Sequence, residues 1–572
     1  MMKRTNEKKH KNYNWRYILV VSGLFLLSSS LSARVAYLHV IDKEFLLEQA
    51  DARMVRSEKI IANRGIINDR NGRALAVSTP VVSIWMNPKQ LIEDEKKWKL
   101  LAKSLHENYS EIENKILTNQ NKQFVYLKRH LSPEEANQTL ALKINGIYGQ
   151  TEYRRFYPAA EVAAHVVGLT NIDDRGIEGV ELALDGQLEG RPGSKKVVKN
   201  RHGEIIKDIE ISRYADAGED ITLSIDLRAQ YFAYKELSYA IDTFRAQSAS
   251  AIAIDVRTGE ILALVNRPSF NPNNRSELNA YELRNRAVTD LFEPGSTVKP
   301  FTVLAALESG KFSEKSYLDT RPGYIKIGSK TIRDHRDYGV IDMTTVITKS
   351  SNVATTKMAL AIGDEALFDM MQRVGFGSLI NSGMPGESNG RLSRPHKGRD
   401  IELATMSYGY GMSVTALQLA NAYTILANNG VEKPLSILRQ EKSPEGVRVI
   451  DERTTKKILT MLETVVSEEG TASQASIHGY SVAGKTGTVH RLVDGVYADN
   501  QYTSLFAGMA PAHNPRVVLV VVVNNPKGDQ YYGGAVAAPV FSKVMEGILR
   551  VLDVPPDQLE DFSKQPQVAG LI

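Results

Sequence analysis

The feature that most constrains this 572-residue chain is an uncharged apolar run near its start, directly behind a basic tail. Residues 18–33 carry no charge, and apolar side chains resume after Arg34 and continue to Ile41. A helix needs about 20 apolar residues to cross a bilayer, so the segment 17–41 is long enough to span one. Residues 1–16 carry six Lys or Arg against one Glu, which accounts for the whole net charge of +5. This asymmetry predicts that the tail stays in the cytoplasm.

The apolar run admits two other interpretations. Ser30, Ser32 and Ala33 are small enough to form a signal-peptidase cleavage site, and a helix buried in a protein core has a similar composition. We predict an uncleaved anchor because apolar residues continue past that cleavage site. Arg34 would then lie near the outer interface, where a long cationic side chain can reach water. Everything after residue 41 would be exported.

The composition excludes several classes of protein. Hydrophobic residues make up 42% of the chain and charged residues 24%, as in globular proteins, and the length suggests about two to four domains. There is no cysteine, which excludes disulfides, zinc–thiolate sites and a cysteine nucleophile. The histidines show no metal-ligand spacing, so we interpret them as structural or surface residues. Since the basic charge lies in the N-terminal tail, no nucleic-acid-binding surface is predicted.

Turn and strand signals dominate the region after the apolar run, residues 42–220. Apolar pairs alternate with Asn-Asp and Asn-Gly turns in 60–78, and 194–220 is charged and strand-like. Helical spacing occurs in 89–120, and 154–193 alternates turns with short helices. We predict a β-rich, non-catalytic domain over 42–220.

A second domain is predicted over 221–555, followed by a C-terminal tail over 556–572. Two apolar runs in 251–265 flank Arg257-Thr258-Gly259, which is typical of a β-hairpin. Further strands of an antiparallel sheet are predicted at 479–489, 504–511 and 517–524. Helices are predicted at 345–363, 364–374, 415–429 and 535–552. The predicted fold class is α+β, with an N-terminal transmembrane helix, a β-rich domain, and an antiparallel sheet sandwiched by helices beside a helical lobe.

The strongest chemical signal is a serine at a chain break. Residues 292–300 read Phe-Glu-Pro-Gly-Ser-Thr-Val-Lys-Pro, and an apolar helical run follows over 301–308. Ser296 would therefore lie at a helix N-terminus, where free N–H groups and the helix dipole favour a developing oxyanion. Lys299 would share its helix face, and a buried lysine can lose its proton and act as a base. A helix cap beside an ordinary surface lysine would have the same sequence.

Two further segments strengthen this interpretation. Residues 350–352 (Ser-Ser-Asn) begin another apolar helical stretch, although such a pattern by itself is also typical of a helix cap. Residues 485–488 (Lys-Thr-Gly-Thr) lie in strand-like sequence, where the glycine would let a ligand backbone approach and the lysine would attract a carboxylate. S-x-x-K, a serine–asparagine motif and K-T-G in this order are typical of penicillin-binding proteins and class A β-lactamases.

A competing motif overlaps the third segment. Residues 479–486 read Gly-Tyr-Ser-Val-Ala-Gly-Lys-Thr and fit the phosphate-loop pattern G-x-x-x-x-G-K-S/T. That pattern requires a helix directly after it, whereas strand character continues through 487–489. The apolar run 517–523 also ends in Asn524, not in the aspartate expected to hold magnesium. We therefore predict no nucleotide site here.

Beyond these motifs, the chain resembles class B penicillin-binding proteins of the FtsI type, the septal peptidoglycan D,D-transpeptidases of bacterial cell division. The similar stretches are RGIINDRNGRALAVS, RRFYPAAEVAAHVVGLTN, GIEGVE, FEPGSTVKP, SSNVATTKMAL, YGYGMSVTALQLANAY, VAGKTGT and YYGGAVAAPVF. The second motif resembles the septal subgroup more than the elongation subgroup, whose members usually have Ser-Ser-Asp. Val489-His490 departs from the small and basic residues commonly found after K-T-G, a difference that bears on fine specificity at the sheet edge.

The resemblance implies a serine acyl transfer without metal or organic cofactor. The implied catalytic residues are Ser296, Lys299, Ser350 and Asn352, and the implied substrate-binding residues are Lys485, Thr486, Gly487 and Thr488. Ser296 would attack the penultimate D-Ala carbonyl of a stem peptide while Lys299 takes its proton. Backbone N–H groups of Ser296 and Thr488 would form the oxyanion hole. An amine of a neighbouring stem would accept the acyl group, and β-lactams would acylate the serine.

The resemblance also implies location and partners. Residues 1–16 would be cytoplasmic, 17–41 would anchor the chain in the bacterial inner membrane, and 221–555 would be a periplasmic transpeptidase domain. Residues 42–220 would form a dimerisation-like pedestal that docks division proteins, including a glycan polymerase of the FtsW type.

Other functions share parts of this pattern. A D,D-carboxypeptidase or a β-lactam hydrolase would use the same nucleophile and let water deacylate it. An elongation-type transpeptidase, or a non-catalytic scaffold or β-lactam sensor, would have a similar architecture. The anchor, the long region 42–220 and the septal-type flanks favour transfer to an amine.

Overall fold

The computed structural model describes residues 14–199, 205–493 and 495–558. Most of the predicted cytoplasmic tail (1–16) and most of the predicted C-terminal tail (556–572) lie outside these residues. The described chain forms two compact units, one built from its described residues up to 62 and between 190 and 217, and the other from those between 63 and 189 and beyond 217.

Strands and helices follow each other along the whole described chain. The strands are β1 (Val55–Ile60), β2 (Ile67–Asn68), β3 (Ala74–Met86), β4 (Val125–Leu131), β5 (Ile147–Phe156), β6 (Gly193–Lys199), β7 (Ile205–Arg213), β8 (Ile221–Thr222), β9 (Ser248–Asp255), β10 (Ile261–Arg267), β11 (Tyr317–Asp319), β12 (Tyr324–Ile327), β13 (Lys330–Arg333), β14 (Val340–Asp342), β15 (Val431–Glu432), β16 (Val447–Arg448), β17 (Ala483–Val493), β18 (Val496–Ala510) and β19 (Val517–Asn524). The helices are α1 (Asn14–Val40), α2 (Lys43–Met54), α3 (Pro88–Leu91), α4 (Trp98–Ser104), α5 (Tyr109–Thr118), α6 (Pro133–Leu140), α7 (Ala164–Val167), α8 (Gly179–Ala183), α9 (Asp185–Leu188), α10 (Leu227–Phe244), α11 (Ala280–Leu283), α12 (Arg286–Thr289), α13 (Lys299–Glu308), α14 (Met343–Thr348), α15 (Asn352–Ile362), α16 (Asp364–Arg373), α17 (Asp400–Met406), α18 (Ala416–Ala427), α19 (Glu452–Glu463) and α20 (Gly533–Val551).

The first unit contains the apolar N-terminal helix α1. An 18-residue window of this helix has a mean hydropathy of 1.8, none of the helix residues is buried, and α1 is the single helix among the described residues that is long and apolar enough to cross a membrane. An apolar helix with no protein around it fits the predicted single-pass anchor. The same unit holds a three-stranded antiparallel sheet in the order β1-β6-β7.

The second unit begins with a mixed sheet in the order β4-β3-β2-β8, with β5 paired to β3. Helices α3 to α6 lie beside this sheet, and the apolar core there includes Ile84, Trp98, Leu101 and Ile112, all almost fully buried. Alternation of apolar and polar residues along β3 places one set of side chains in this core. The prediction of a β-rich region with helical inserts is confirmed.

The larger sheet of the second unit runs β10-β9-β19-β18-β17, with every neighbouring pair antiparallel. The valine-rich β19 is central and buried, because helices cover both faces of the sheet. Helices α10 and α20 contact each other and the sheet, and α18 packs on β9, β18 and β19. Strand β17 is an edge strand, so one side of its backbone is not paired within this sheet.

The sequence predicted most of these elements. The hairpin in 251–265, the three later strands and the C-terminal helix are confirmed as β9, β10, β17, β18, β19 and α20. The predicted helix 345–363 is instead two helices, α14 and α15. Ser350 lies between them with φ of 59°, a left-handed conformation that ends the first helix. The α+β fold class is confirmed.

Candidate active site

The predicted nucleophile lies where the chain turns into a helix. Residues Gly295–Val298 form a 3-10 turn that continues directly into α13, whose Pro300 falls in the first turn. Ser296 is partly exposed and lines a cleft. The predicted helix start is confirmed, and the serine lies within its first turn.

A glycine allows this turn to be pressed between two other segments. Gly295 has φ of 53°, and a Cβ there would lie 2.4 Å from Cγ1 of Val489 on β17. On the other side, the Gly295 N–H donates to the Gly409 carbonyl at 3.0 Å. Any side chain at position 295 would therefore push the nucleophile away from strand β17.

Lys299 joins the first motif to the second. Its side chain is fully buried, and Nζ donates to the Ser350 carbonyl at 2.5 Å, to Ser350 Oγ at 3.1 Å and to Asn352 Oδ1 at 2.7 Å. Burial lowers the pKa of the Lys299 amine well below its usual range, and the nearby charge of Lys485 lowers it further. The lysine therefore gives up its proton more readily than an exposed lysine does.

Asp334, which the sequence did not single out, holds the second motif in place. Its carboxylate accepts from Ser351 Oγ at 2.6 Å, from the Asn352 N–H at 2.5 Å and from the Val353 N–H at 3.1 Å. Ser351 also caps α15 by accepting from the Ala354 N–H. The negative charge of Asp334 partly offsets the downward shift of the Lys299 pKa.

The third motif lies on the edge strand β17. Lys485 is fully buried, and burial lowers its pKa to about 7. Within the described residues, its Nζ makes only long contacts, 3.4 Å to the Thr486 carbonyl and 3.5 Å to Thr486 Oγ1. Because these bonds are weak, the amine retains the capacity to bind an anion.

The small residue of the third motif allows close packing. A Cβ on Gly487 would lie 3.0 Å from Leu505 Cδ1 and 3.1 Å from both the Pro294 carbonyl and Thr297 Cγ2. The neighbouring hydroxyls are also engaged. Thr486 Oγ1 lies 2.8 Å from Thr471 Oγ1, and Thr488 Oγ1 accepts from the Gly533 N–H at 2.9 Å.

These segments surround one cleft of about 540 Å³. Among the predicted site residues, its lining includes Ser296, Ser350, Asn352, Thr486 and Thr488. The two lysines are buried behind this lining. His490, noted in the sequence as a departure from the family pattern, also lines it. Residues to which the sequence analysis assigned no role complete the lining, namely His335, Tyr408, Tyr410, Thr471, Tyr502, Tyr531, Tyr532, Gly533 and Gly534. Tyr408 and Tyr410 belong to the YGYGM stretch, so family resemblance was a usable signal for them.

The competing phosphate-loop interpretation conflicts with the local structure. Residues 483–493 form a single strand, so no helix follows Lys485 and Thr486. A phosphate loop needs the N–H groups of such a helix to bind phosphate. The prediction of no nucleotide site at this motif therefore agrees with the fold.

Two family models match the chain. The model described as penicillin binding protein transpeptidase domain covers residues 249–546, which include all three motifs. The chain belongs to the penicillin-binding transpeptidase family. A second model, penicillin-binding protein dimerisation domain, covers residues 59–223. The predictions of the family and of a transpeptidase enzyme are confirmed, and each compact unit of this penicillin-binding protein contains part of the dimerisation match.

Several curated proteins resemble it over nearly their full length. "Probable peptidoglycan D,D-transpeptidase PbpC" of Pseudomonas aeruginosa is 44% identical, with 96% of this chain and 97% of that protein covered. "Peptidoglycan D,D-transpeptidase FtsI" of Escherichia coli is 42% identical, with coverages of 98% and 95%. "Probable peptidoglycan D,D-transpeptidase PenA" of Neisseria gonorrhoeae is 39% identical, with coverages of 96% and 95%.

Solved structures support the fold as well. The apo transpeptidase domain of penicillin-binding protein 3 from Burkholderia pseudomallei is 40% identical with a TM-score of 0.55, and it covers 59% of this chain and 98% of its own. A peptidoglycan synthetase from Bifidobacterium adolescentis has a TM-score of 0.69 at 24% identity and covers 88% of this chain and 98% of its own. The second likeness concerns the fold alone.

Proposed function

We propose that this protein cross-links peptidoglycan at the division septum as a D,D-transpeptidase, through an acyl-enzyme on Ser296. One observation carries the proposal: the buried Lys299 amine, with its depressed pKa, lies one helical turn after Ser296 and donates to both Ser350 and Asn352. A desolvated amine beside a hydroxyl is the arrangement that activates a serine without histidine.

In the acylation step, Ser296 Oγ attacks the carbonyl of the penultimate D-Ala and its proton moves to neutral Lys299. The new ester bond forms as the C–N bond to the terminal D-Ala breaks. The Ser350 hydroxyl, 3.1 Å from Nζ, then relays a proton to the departing amine. In this way one proton passes from the serine to the leaving group.

Strand β17 would hold the substrate during this step. Lys485, Thr486 and Thr488 bind its terminal carboxylate, and Gly487 lets the peptide backbone lie close to the edge strand. The Asn352 amide orients the substrate amide. Backbone N–H groups of Ser296 and Thr488 stabilise the oxyanion.

Deacylation completes the cross-link. An amine from a neighbouring stem attacks the ester carbonyl, the bond to Ser296 breaks, and the serine regains its proton through Lys299. A β-lactam would acylate the same serine and remain attached because its ring-opened product stays in the site.

The proposed placement follows the chain from its N-terminus. Residues 1–16 lie in the cytoplasm, 17–41 anchor the protein in the inner membrane, and the transpeptidase domain 221–555 acts in the periplasm. The pedestal domain 42–220 docks division proteins, including an FtsW-type glycan polymerase. Similarity to FtsI of Escherichia coli across 98% of this chain supports the septal role.

Product analysis tests the reaction. The purified protein is incubated with a stem pentapeptide ending in D-Ala-D-Ala and an amine acceptor, alongside Ser296→Ala. We expect a cross-linked product and free D-Ala from the wild type alone. Release of only the shortened acid, at every acceptor concentration, would identify a carboxypeptidase instead.

Complementation tests the septal role. In cells depleted of the native protein, the wild type should restore division and Ser296→Ala should leave filaments. Restored division by Ser296→Ala would favour the scaffold interpretation, and rounded cells in place of filaments would indicate a role in elongation.

A further inference from the structure

A cluster of exposed cations lies on the hairpin formed by β12 and β13, next to the active-site cleft. Tyr324 and Arg333 face each other across this antiparallel pair, and Lys326 lies two residues from Tyr324, so the three side chains share one face. All three are exposed, whereas the isoleucines on the opposite face are buried or half-buried. The solvent face of the hairpin therefore carries Lys326 and Arg333, and the exposed Arg336 follows three residues later.

Two tyrosine rings hold the arginines of this cluster. The guanidinium carbon of Arg333 lies 5.3 Å from the centroid of the Tyr324 ring, and that of Arg336 lies 5.5 Å from the centroid of the Tyr338 ring. A guanidinium that packs on a ring face can still present its N–H edge to a planar acceptor such as a carboxylate. Each arginine is thus oriented by an aromatic contact before a ligand arrives.

These cations have no acidic partner within the part of the chain that the structure describes. No salt bridge and no side-chain hydrogen bond there involves Lys326, Arg333 or Arg336. The two carboxylates closest in sequence are engaged elsewhere. Asp334 binds the second motif, and Asp337 accepts from a backbone N–H of its own loop at 2.8 Å. The N–H edges of both arginines are therefore open to an external anion.

Several other exposed arginines of the transpeptidase domain are paired with carboxylates. Arg321 lies 2.7 Å from Asp319, and Arg399 lies 3.0 Å from Glu402. Such pairs contribute little to stability, but they neutralise the surface locally. We call Lys326, Arg333 and Arg336 the basic hairpin surface. Its positive charge is not neutralised in this way, and an uncompensated positive region at the rim of a cleft attracts anions.

The basic hairpin surface is joined to the catalytic residues through the backbone of β13. The Asn352 side-chain amide donates to the Arg333 carbonyl at 3.0 Å. His335, which lies between the two arginines in sequence, lines the cleft. The surface therefore begins at the wall of the cleft that carries Asn352, and not at the wall formed by β17.

This position suits the second substrate of the reaction. The donor stem is proposed to lie along β17, so the acceptor stem must approach from another side, and every linear stem peptide ends in a carboxylate. We propose that the basic hairpin surface binds the carboxylates of the acceptor stem peptide and guides its amine toward the acyl-enzyme on Ser296. The arginines would donate charge-assisted hydrogen bonds, and Lys326 would add attraction at longer range. This inference rests on the proposed transpeptidase function.

The test compares two acceptor tripeptides that both carry a free side-chain amine, one with free carboxylates and one with carboxamides in their place. The donor is a pentapeptide ending in D-Ala-D-Ala. The readout is the ratio of the two kcat/KM values for the acceptor, because a general loss of acylation cancels in a ratio. We expect the wild type to prefer the carboxylate acceptor by about tenfold at low salt, as for one charge-assisted contact. Added salt should reduce this preference, since exposed charges are screened.

Three variants separate recognition from a structural effect. A variant carrying both Arg333→Gln and Arg336→Gln should use the two acceptors about equally, whereas one carrying Arg333→Lys and Arg336→Lys keeps the charge and should retain a measurable preference. Arg453→Gln removes an exposed arginine at the start of α19, outside the cleft lining, and should keep the wild-type ratio. A preference that survives in the double glutamine variant, or a lysine variant as unselective as the glutamine variant, would overturn the surface.

Direct binding separates this inference from the proposed function. A labelled carboxylate tripeptide is titrated onto Ser296→Ala, with and without the two glutamine changes, and fluorescence anisotropy is measured. Weaker binding in the glutamine variant, together with no cross-link formed by the wild type, would support the surface and overturn the proposed function alone. Cross-linking by the wild type without a preference between the acceptors would overturn the surface alone.

A membrane is the other anionic partner that the test must distinguish. Vesicles of anionic lipid are mixed with the wild type and with the double glutamine variant, and sedimentation measures binding. Equal binding by the two proteins agrees with the acceptor surface. Weaker binding by the variant, with an unchanged acceptor ratio, would assign the surface to a membrane and overturn the proposal.

Discussion

The two walls of the cleft each hold a fully buried lysine, and the two lysines are placed differently. Lys299, on the helical wall, has three oxygen acceptors within 2.5–3.1 Å. Lys485, on the strand wall, donates weakly to Thr486, with distances of 3.4 and 3.5 Å from Nζ to the carbonyl and to Oγ1. Burial lowers the pKa of both amines.

The different surroundings of the two lysines suit them to different tasks, proton transfer and anion binding. A lysine linked to Ser350 and Asn352 lies on a path along which protons can move, whereas a weakly bonded lysine is available to bind an anion. The second lysine also affects the first, because the charge of Lys485 lowers the pKa of Lys299. A substrate carboxylate on Lys485 would offset that effect at the moment the reaction begins.

The largest effect is expected on the helical wall. Lys299→Met removes the proton acceptor, so acylation by a fluorescent penicillin should slow by about 1,000-fold or more. Lys311→Met, which changes an exposed lysine just beyond the same helix, is the matched control and should acylate at the wild-type rate. Equal slowing in both variants would contradict the assigned task.

A smaller, substrate-dependent effect is expected on the strand wall. Lys485→Met should lower kcat/KM for a donor ending in D-Ala carboxylate by about 100-fold, as for a lost charge-assisted contact. A donor whose terminal carboxylate is replaced by a carboxamide should be slow with both proteins. If Lys485→Met slows both donors by the same factor, the lysine does not recognise the carboxylate.

The pH dependence of acylation and of donor affinity should distinguish the role of Lys299 from that of Lys485. Lys299 is a base only when neutral, so acylation should fall as pH drops through its depressed pKa. Lys485 binds a carboxylate only when it is charged. Donor affinity should therefore fall by about tenfold per pH unit above the Lys485 pKa, which is about 7 in the free protein. A bound carboxylate would raise this pKa and move the fall in affinity to a higher pH. Kinetics on carboxylate and carboxamide donors measure this, and KM values equally independent of pH would contradict it.

The smallest effect is on stability. Burial lowers the pKa of Lys485 from its ordinary value of 10.5 to about 7 in the folded protein. Between these two pH values the unfolded chain binds more protons, so stability rises with pH. Lys485→Met should therefore raise Tm by a few degrees at pH 7, about 2–4 °C per kcal/mol, and by less at pH 9. A lower Tm at pH 7 would show that the buried amine stabilises the fold.

The sequence predicted those parts of the site in which a reactive residue lies within a local helix or strand pattern. The Pro294-Gly295 break followed by an apolar run located the nucleophile turn, and the alternating strands around Lys485 located the sheet edge. Both signals lie within about ten residues of chain, a distance over which helix and strand preferences act.

The rest depends on contacts distant in sequence. Asp334 reaches residues 351–353 from a separate loop, and the Tyr423 hydroxyl donates to the Thr297 carbonyl across 126 residues. The left-handed Ser350 interrupts a stretch with continuous helical periodicity, because residues on both sides are held by tertiary contacts.

Covalent labelling tests the central claim most directly. The full-length protein and Ser296→Ala are treated with a fluorescent penicillin, and the labelled peptide is identified by mass spectrometry. We expect a single label on Ser296 in the wild type and none in the variant. A label of equal intensity on the Ser296→Ala protein, or on a peptide that does not contain residue 296, would contradict the account.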